Sequence, residues 1–509
     1  MKDKIKPKAD FLFEVSWEVC NKIGGIWTVL KSKARPTIEH YGDNYCLIGP
    51  YFSQSSKGEF ELADAPDEWR KSFLDLEKEE LFLKFGYWLI PGNPKVILID
   101  FSKWMERGDQ IKKELWENFK IDSFNSPLDY TEPLVWSFAV GRVIEKLSNN
   151  FSGKKIVAQF HEWLSGAGLL YLKSKALPIG TVFTTHATIL GRTLTGNNIP
   201  LDYFLGKINS IDEAYKYGIQ AKHQIEYACA QKTDVFTTVS QITGLESETI
   251  LNRFPDVLLP NGLDMSRFPS IEQISIKHKL QRDKIREFLS WYFYPYYEID
   301  LENTFFYFTL GRYELKNKGI DTFAKALGQL NKKLQQEKSK KSVVAFFWIP
   351  TQVQSIKREL IESREIYADI KDQLESIEED VEGNIMKALI AGSKIEKADI
   401  FENEEETLAE IKNKILKFKK QGNPPVCSHN LADQNDAILQ MLEEEGLLNA
   451  KEDRVKVIFY PIYLNGADGI LNLTSDEAIQ GSHLGVFPST YEPWGYTPLE
   501  SAALGVGSV

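Results

Sequence analysis

Short, continuous apolar runs, each bounded by polar or Gly/Pro residues, recur along the first half of the chain at 11–15, 45–49, 96–101, 156–160, 181–185, 235–239 and 257–260. Runs without polar alternation mark strands covered on both faces, and such strands are parallel and separated by helices. A helical stretch at 134–147 stands between two of them. The spacing therefore predicts a doubly wound α/β domain. The pattern pauses over 276–303, a charged and then aromatic stretch, and resumes at 305–310, 343–349, 455–460 and 484–487. A chain of 509 residues also exceeds what one core supports, about 250 to 300 residues. The reading is two Rossmann-like domains, 1–275 and 304–509, joined by an interdomain segment at 276–303.

Within the second domain an acidic insert, 355–421, interrupts the strand pattern. Ile366, Ile370, Leu374, Ile377 and Val381 step by four and three, as do Leu408, Ile411, Ile415 and Phe418. Two amphipathic helices are expected, with a homo-oligomer built through them as the reading of their heptad-like spacing. The final residues, 500–509, start as a helix and stop where an α/β domain would enter its next strand, so the second domain reads as incomplete.

Charge and cysteine usage narrow the function classes. A formal net charge of -11 argues against nucleic acid and anionic membrane as partners, since both need clustered positive charge. The lysine-bearing N-terminus is no signal peptide, and no run approaches the roughly 18 apolar residues of a membrane span. The four cysteines, Cys20, Cys46, Cys229 and Cys427, form no CxxC pair, which fits neither a disulfide framework nor a zinc site and suits the cytoplasm.

Stretches of chemical interest fall near strand ends, where open α/β sheets place ligands. In NKIGGIWTV (21–29), Gly24 and Gly25 let backbone amides approach a phosphate and Lys22 adds charge, although a Gly-Gly pair also reads as a plain turn. FHEWLSGAG (160–168) and TTHATILGR (184–192) put His161 and His186 at strand ends, with Arg192 beyond. Each histidine alone reads as structural, and together with Arg192 they suggest a pocket for hydroxyls and phosphate. TLGRYELKNKG (309–319) offers Arg312 and Lys318 to neutralise a diphosphate, or else is a solvated basic turn. PNGLD (260–264) reads as a turn closing the first domain. STYEPWGYTPLE (489–500) carries Glu492 in a loop and Glu500 on a helix, a pair able to hold a sugar and a ribose. Trp494 and the amides of Gly495, Tyr496 and Thr497 lie at that helix's start, aimed at a phosphate or simply capping the helix.

Taken together, FEVSWEVCNKIGG, QFHEWLSGAG, FTTHATILGR, LPNGLD, GRYELKNKG and VFPSTYEPWGYTPLE resemble the glycogen synthases of the animal and fungal type, from about Phe13 to the end of the chain. The resemblance implies a two-domain GT-B glycosyltransferase fold. It also implies retaining transfer of glucose from UDP-glucose to the 4-hydroxyl at the non-reducing end of glycogen, with no cofactor and no essential metal. By the same resemblance Arg192, Arg312 and Lys318 contact phosphate, Glu492 lies beside the donor glucose and Glu500 holds the ribose. Arg312, Lys318, His161 and Glu492 form the expected catalytic set. Lys22, Gly24, Gly25, His186, Arg192, Trp494, Gly495, Tyr496, Thr497 and Glu500 form the donor-binding set. The chain departs from the family where Phe459-Tyr460-Pro461 replaces a Phe-His-Pro triplet. It departs again where Ser475 replaces a tyrosine before Asp476 and Glu477, which removes an aromatic face for the nucleobase. The alternatives are an ADP-glucose-using starch or glycogen synthase, and a non-catalytic glucan-binding fragment. The arginine-rich helix that senses glucose 6-phosphate in the family would lie beyond residue 509.

Overall fold

The computed structural model describes residues 7–53, 56, 58–151, 153–392 and 405–509. The chain forms two compact units: one runs to Met265 and takes in Thr490–Tyr496, and the other comprises Ser266–Ser489 and Thr497–Val509.

In the first unit the strands are β1 (Phe11–Val15), β2 (Tyr45–Pro50), β3 (Phe60–Leu62), β4 (Phe82–Trp88), β5 (Lys95–Asp100), β6 (Ile156–His161), β7 (Ile179–Thr185), β8 (Val235–Thr238) and β9 (Val257–Leu258). They form a sheet in the order β3-β4-β5-β2-β1-β6-β7-β8-β9. The stretch from β5 to β9 is parallel, and β3 and β4 add an antiparallel edge. Every residue of β1 and β2 is buried, as continuous apolar runs require. The edge pair is absent from the sequence reading because its exposure varies along the strands, giving no continuous apolar run. The helix Leu128–Ser148 is buried on most of its faces, with Trp136, Val140 and Ile144 in the main core.

The second unit has β10 (Thr304–Leu310), β11 (Ser342–Trp348), β14 (Val455–Tyr460), β15 (Leu484–Gly485) and β16 (Gly507–Ser508) in an all-parallel sheet ordered β14-β11-β10-β15-β16. A separate antiparallel pair joins β12 (Val353–Ile356) to β13 (His429–Leu431). Both units are thus doubly wound α/β layers, as the apolar runs predicted.

Residues 276–303 differ from the sequence reading of an interdomain segment. A helix spans Ile271–Phe293, opened by a reciprocal Ser270–Gln273 capping box, and belongs to the second unit. Ile285, Phe288, Leu289 and Tyr292 recur on one buried face, so the aromatic stretch is core. The helix lies so close to the helix Ser475–Gly481 that a Cβ on Gly481 would sit 2.5 Å from Ile285 Cδ1.

The acidic insert forms helices Arg358–Ile390 and Glu405–Phe418, while 393–404 lies outside the described residues. The two helices pack on each other, with Ile377, Ile411 and Phe418 buried and Lys414 3.4 Å from Asp369. The longer one also meets the helix Ile271–Phe293, where Lys371 pairs with Glu287 at 3.2 Å. Among the described residues no helix is long and apolar enough to cross a membrane, and the four cysteines are buried and free.

Candidate functional site

In an open parallel sheet, the crevice forms where strand order reverses, beyond the carboxyl ends of the two strands that flank the reversal. In the first unit that point lies between β1 and β6, because β2 and β5 extend one way from β1 while β7 and β8 extend the other way from β6. The residues that follow β1 and end β6 are the FEVSWEVCNKIGG and FHEWLSGAG stretches. In the second unit the reversal lies between β10 and β15, which places the loops 311–319 and 486–489 there.

In the first unit a buried polar chain runs through this point. Glu14, fully buried within β1, accepts from Lys33 Nζ at 2.6 Å, from the Tyr45 hydroxyl and from His161 Nε2 at 2.8 Å. His161 Nδ1 lies 2.9 Å from His186 Nε2. Burial alone would raise the Glu14 carboxyl, but the Lys33 ammonium and the His161 contact outweigh it and hold it well below the usual carboxylate range. Burial pushes His161 below its ordinary value against the pull of Glu14, and burial beside His161 lowers His186 further. Both imidazoles are therefore neutral at pH 7.

A second buried group surrounds the strand-to-helix turn after β7. Glu162, with φ 65° and ψ 168°, occupies a backbone region that side chains other than glycine rarely adopt. Its carboxylate accepts from the amides of His186 at 2.7 Å and Ala187 at 3.1 Å. Glu246 accepts from Thr188 N at 3.1 Å, from the Thr188 hydroxyl and from the Tyr491 hydroxyl at 2.8 Å. Thr188 in turn caps the helix Ile189–Gly196 by accepting from Gly191 N. A Cβ at 191 would lie 2.3 Å from Glu246 Oε1, so any larger residue there would push the Glu246 carboxylate from its hydrogen bonds. Burial pushes Glu162 up to about 7, opposed by Arg192 and the two amides, and burial also raises Glu246 and Glu226. Arg192 acts on Glu162, Glu246 and Tyr491 together.

The glycine loop departs from the simple phosphate cradle expected of it. Glu18 Oε2 accepts from Gly24 N at 3.0 Å and Trp27 N at 2.8 Å, so an internal carboxylate already caps the helix Gly25–Tyr41. Lys22 lies over the Trp27 ring, 4.9 Å from its centroid. A Cβ on Gly25 would stand 3.8 Å from Tyr496 Cδ2, and the Tyr496 hydroxyl donates to Gly262 O at 3.1 Å, so the PNGLD turn supports the aromatic of the 490–496 segment. The same segment holds Trp494, Gly495 at φ 80° and the exposed Glu492.

The first unit thus gathers Lys22, Gly24, Gly25, His161, His186, Arg192, Glu492, Trp494, Gly495 and Tyr496. Arg312, Lys318, Thr497 and Glu500 belong to the second. There Arg312 Nη2 is 3.1 Å from Glu314, and Lys318 lays its methylenes beside Gly311, the nearest 3.6 Å from where a Cβ would be. Gly319 ends the loop at φ 62°, and a Cβ on it would lie 1.9 Å from Pro488 O, which locks the basic loop to the chain leaving β15. Glu500 pairs with Arg267 at 2.6 Å. Glu14, Lys33, Tyr45, Glu18, Glu246 and Tyr491 were not predicted. The available signal was Glu14 itself, an acid inside an otherwise apolar strand.

Comparison with known proteins identifies the family. The family model described as glycogen synthase matches residues 14–509. The chain is 38% identical over 502 residues to the liver glycogen (starch) synthase of Homo sapiens, covering 98% of this chain and 71% of that protein. It is 38% identical over 502 residues to the glycogen (starch) synthase of Dictyostelium discoideum, covering 98% and 56%. For that of Neurospora crassa the figures are 36% over 509 residues, 99% and 72%. Among solved structures, the catalytic domain of starch synthase IV from Arabidopsis thaliana bound to ADP and acarbose matches at 13% identity and TM-score 0.47, covering 98% of this chain and 82% of that one.

Proposed function

The chain belongs to the glycogen synthase family of glycosyltransferases, and we propose that it transfers glucose from UDP-glucose, with retention, to the non-reducing end of an α-1,4-glucan. The observation that carries the reading is the concentration of the matching residues at the strand-order reversals of both sheets. In the first unit His161 ends β6 at the reversal and His186 lies 2.9 Å from it, neutral groups suited to sugar hydroxyls, with Arg192, suited to phosphate, on the helix after β7. In the second they are Arg312 and Lys318 on a loop locked by Gly319, groups suited to a departing diphosphate.

Departure of a diphosphate without a metal requires positive charge already in place where negative charge develops. Arg312 and Lys318 supply it, and no metal ion or other cofactor is required; full turnover in the presence of a chelator is the corresponding expectation. Arg192 and the amides of Gly495 and Tyr496 in the first unit, and the amide of Thr497 in the second, each add a donor for phosphate oxygens. In the first unit Glu492 orients the donor glucose and Trp494 takes part in donor binding; in the second Glu500 holds the ribose. Lys22, Gly24 and Gly25 act on the donor only if Glu18 yields its hold on the Gly24 amide. The enzyme works in the cytoplasm. Its helical insert carries Leu389, Ile390 and Leu416 exposed at 59%, 82% and 71%, and we assign to them a contact between copies of the chain.

A second donor is favoured by one feature: Ser475 begins the helix Ser475–Gly481, capped reciprocally by Thr474 and Glu477, and presents no aromatic face to a nucleobase. ADP-glucose is the competing substrate. The test is incorporation of labelled glucose into glycogen from UDP-glucose and from ADP-glucose by the purified chain. Transfer from UDP-glucose in excess supports the reading, and transfer from neither by folded protein removes it. Arg312→Ala is expected to lower kcat by about 100-fold or more; unchanged turnover would take Arg312 out of the phosphate role.

A further inference from the structure

Glu14, Lys33 and Tyr45 lie behind the two histidines, and nothing in the proposed chemistry uses them directly. Their geometry nevertheless dictates where the protons of both rings sit. Lys33 can only donate, and Tyr45, its hydroxyl held far above its ordinary range by burial and the neighbouring carboxylate, also donates. Glu14, ionised, has no proton to give. His161 Nε2, 2.8 Å from Glu14 Oε1, must therefore carry a hydrogen. A second proton on His161 would place a buried cation beside Lys33, which sits on the same Glu14 oxygen. The neutral ring leaves Nδ1 bare, so the hydrogen in the 2.9 Å contact comes from His186 Nε2. His186, neutral too, then has a bare Nδ1. Among the described residues nothing pairs with that nitrogen, and His186 is partly exposed. Its backbone is fixed independently by Glu162, which accepts from the His186 amide at 2.7 Å.

We propose that Glu14, clamped by Lys33 and Tyr45, is a positioning residue that sets the tautomers of His161 and His186 in series, so that His186 presents a bare Nδ1 to accept from a hydroxyl of the donor sugar. This rests on the glucosyl-transfer reading above. It also divides the labour between the histidines. His161 spends both ring nitrogens internally and is a relay, neither a general acid nor a general base. His186 offers an acceptor, which attracts a neutral hydroxyl and repels a phosphate oxygen. Phosphate recognition then falls to the arginines, Lys318 and the backbone amides of 495–497, and not to the histidines.

The first test is read on the unsubstituted chain and needs no turnover, with variants used only to assign its signals. Nitrogen-15 histidine spectra of the full chain, assigned among its seven histidines with His161→Asn and His186→Gln, report the protonated nitrogen of each ring. The expected result is neutral, Nε2-protonated His161 and His186 throughout the interval from about pH 6.5 to 8. A cationic His161, or Nδ1-protonated His186, overturns the proposal.

The second test separates positioning from damage. Glu14→Met removes both carboxylate oxygens, and with them the acceptor of the His161 Nε2 hydrogen, at a similar side-chain length. One neutral hydrogen bond made equally in ground and transition states is lost, so KM for the nucleotide-glucose should rise about fivefold to tenfold with kcat changed less than about threefold. Inhibition by the free nucleoside diphosphate, which has no donor sugar, should not move. Equal weakening of nucleotide and nucleotide-sugar overturns the proposal. Failure of the wild-type chain to transfer glucose would instead remove the functional reading, while the spectra would still decide the tautomers.

Discussion

Glu162→Gln should make the wild-type and variant proteins diverge in stability as the pH rises. Glu162 is raised by burial from its ordinary 4.5 to about 7. A group whose folded value exceeds its unfolded value contributes stability that is fully present below about 4.5 and is lost as the pH rises through about 7. The interval from 4.5 to about 7, at about 1.4 kcal/mol per pH unit, is roughly 3 kcal/mol. Glutamine keeps the carbonyl oxygen that accepts from the His186 and Ala187 amides, and it inherits the same strained φ of 65°, so neither contact nor strain differs between the two proteins. What differs is the buried charge. Native-state hydrogen exchange, read by mass spectrometry on peptides covering 156–162 and 184–188, measures the local opening energy in both proteins. At about pH 3.5, below the unfolded value, the two should agree closely; at about pH 8 the variant should be more protected by roughly 3 kcal/mol. A variant-to-wild-type difference that is the same at both pH values would refute the claim that Glu162 titrates while buried.

The parallel strands were legible because burial on both faces leaves an unbroken apolar run, as in β1 and β11. The antiparallel edge β3–β4 was not, because partial exposure breaks such a run. Residues 276–303 misled for a different reason. A charged helix ending in aromatics resembles a linker until its partner, the helix Ser475–Gly481 almost two hundred residues later in the chain, is known. Among site residues, histidines and arginines beside glycine stood out because those types are scarce at strand ends without a purpose. The groups that govern their protonation could not stand out that way. Lys33 and Tyr45 come from a helix and a strand whose sequences are ordinary, and only the pairing of β2 with β1 and the packing of the helix Gly25–Tyr41 bring them to Glu14. A carboxylate within a strand buried on both faces is costly unless it is matched by donors. Glu14 therefore implied partners, though not which ones.

Two further substitutions test how the second unit is held together. Asn449, fully buried, accepts from Val457 N at 2.8 Å and donates to Val457 O at 2.9 Å; Asn449→Ala leaves both backbone groups of β14 unpaired and should cost about 2 to 4 kcal/mol by denaturant titration. Gly319→Ala meets two obstacles at once, a φ of 62° and a Cβ 1.9 Å from Pro488 O. The obstructing atom is backbone and cannot rotate aside, so either the loop carrying Arg312 and Lys318 or the chain leaving β15 must shift. The expected loss is at least about 2 kcal/mol, accompanied by a fall in kcat, because the cations ride on the displaced loop. A Gly319→Ala protein that melts and turns over like the wild type would show that the position of this loop does not set the phosphate site.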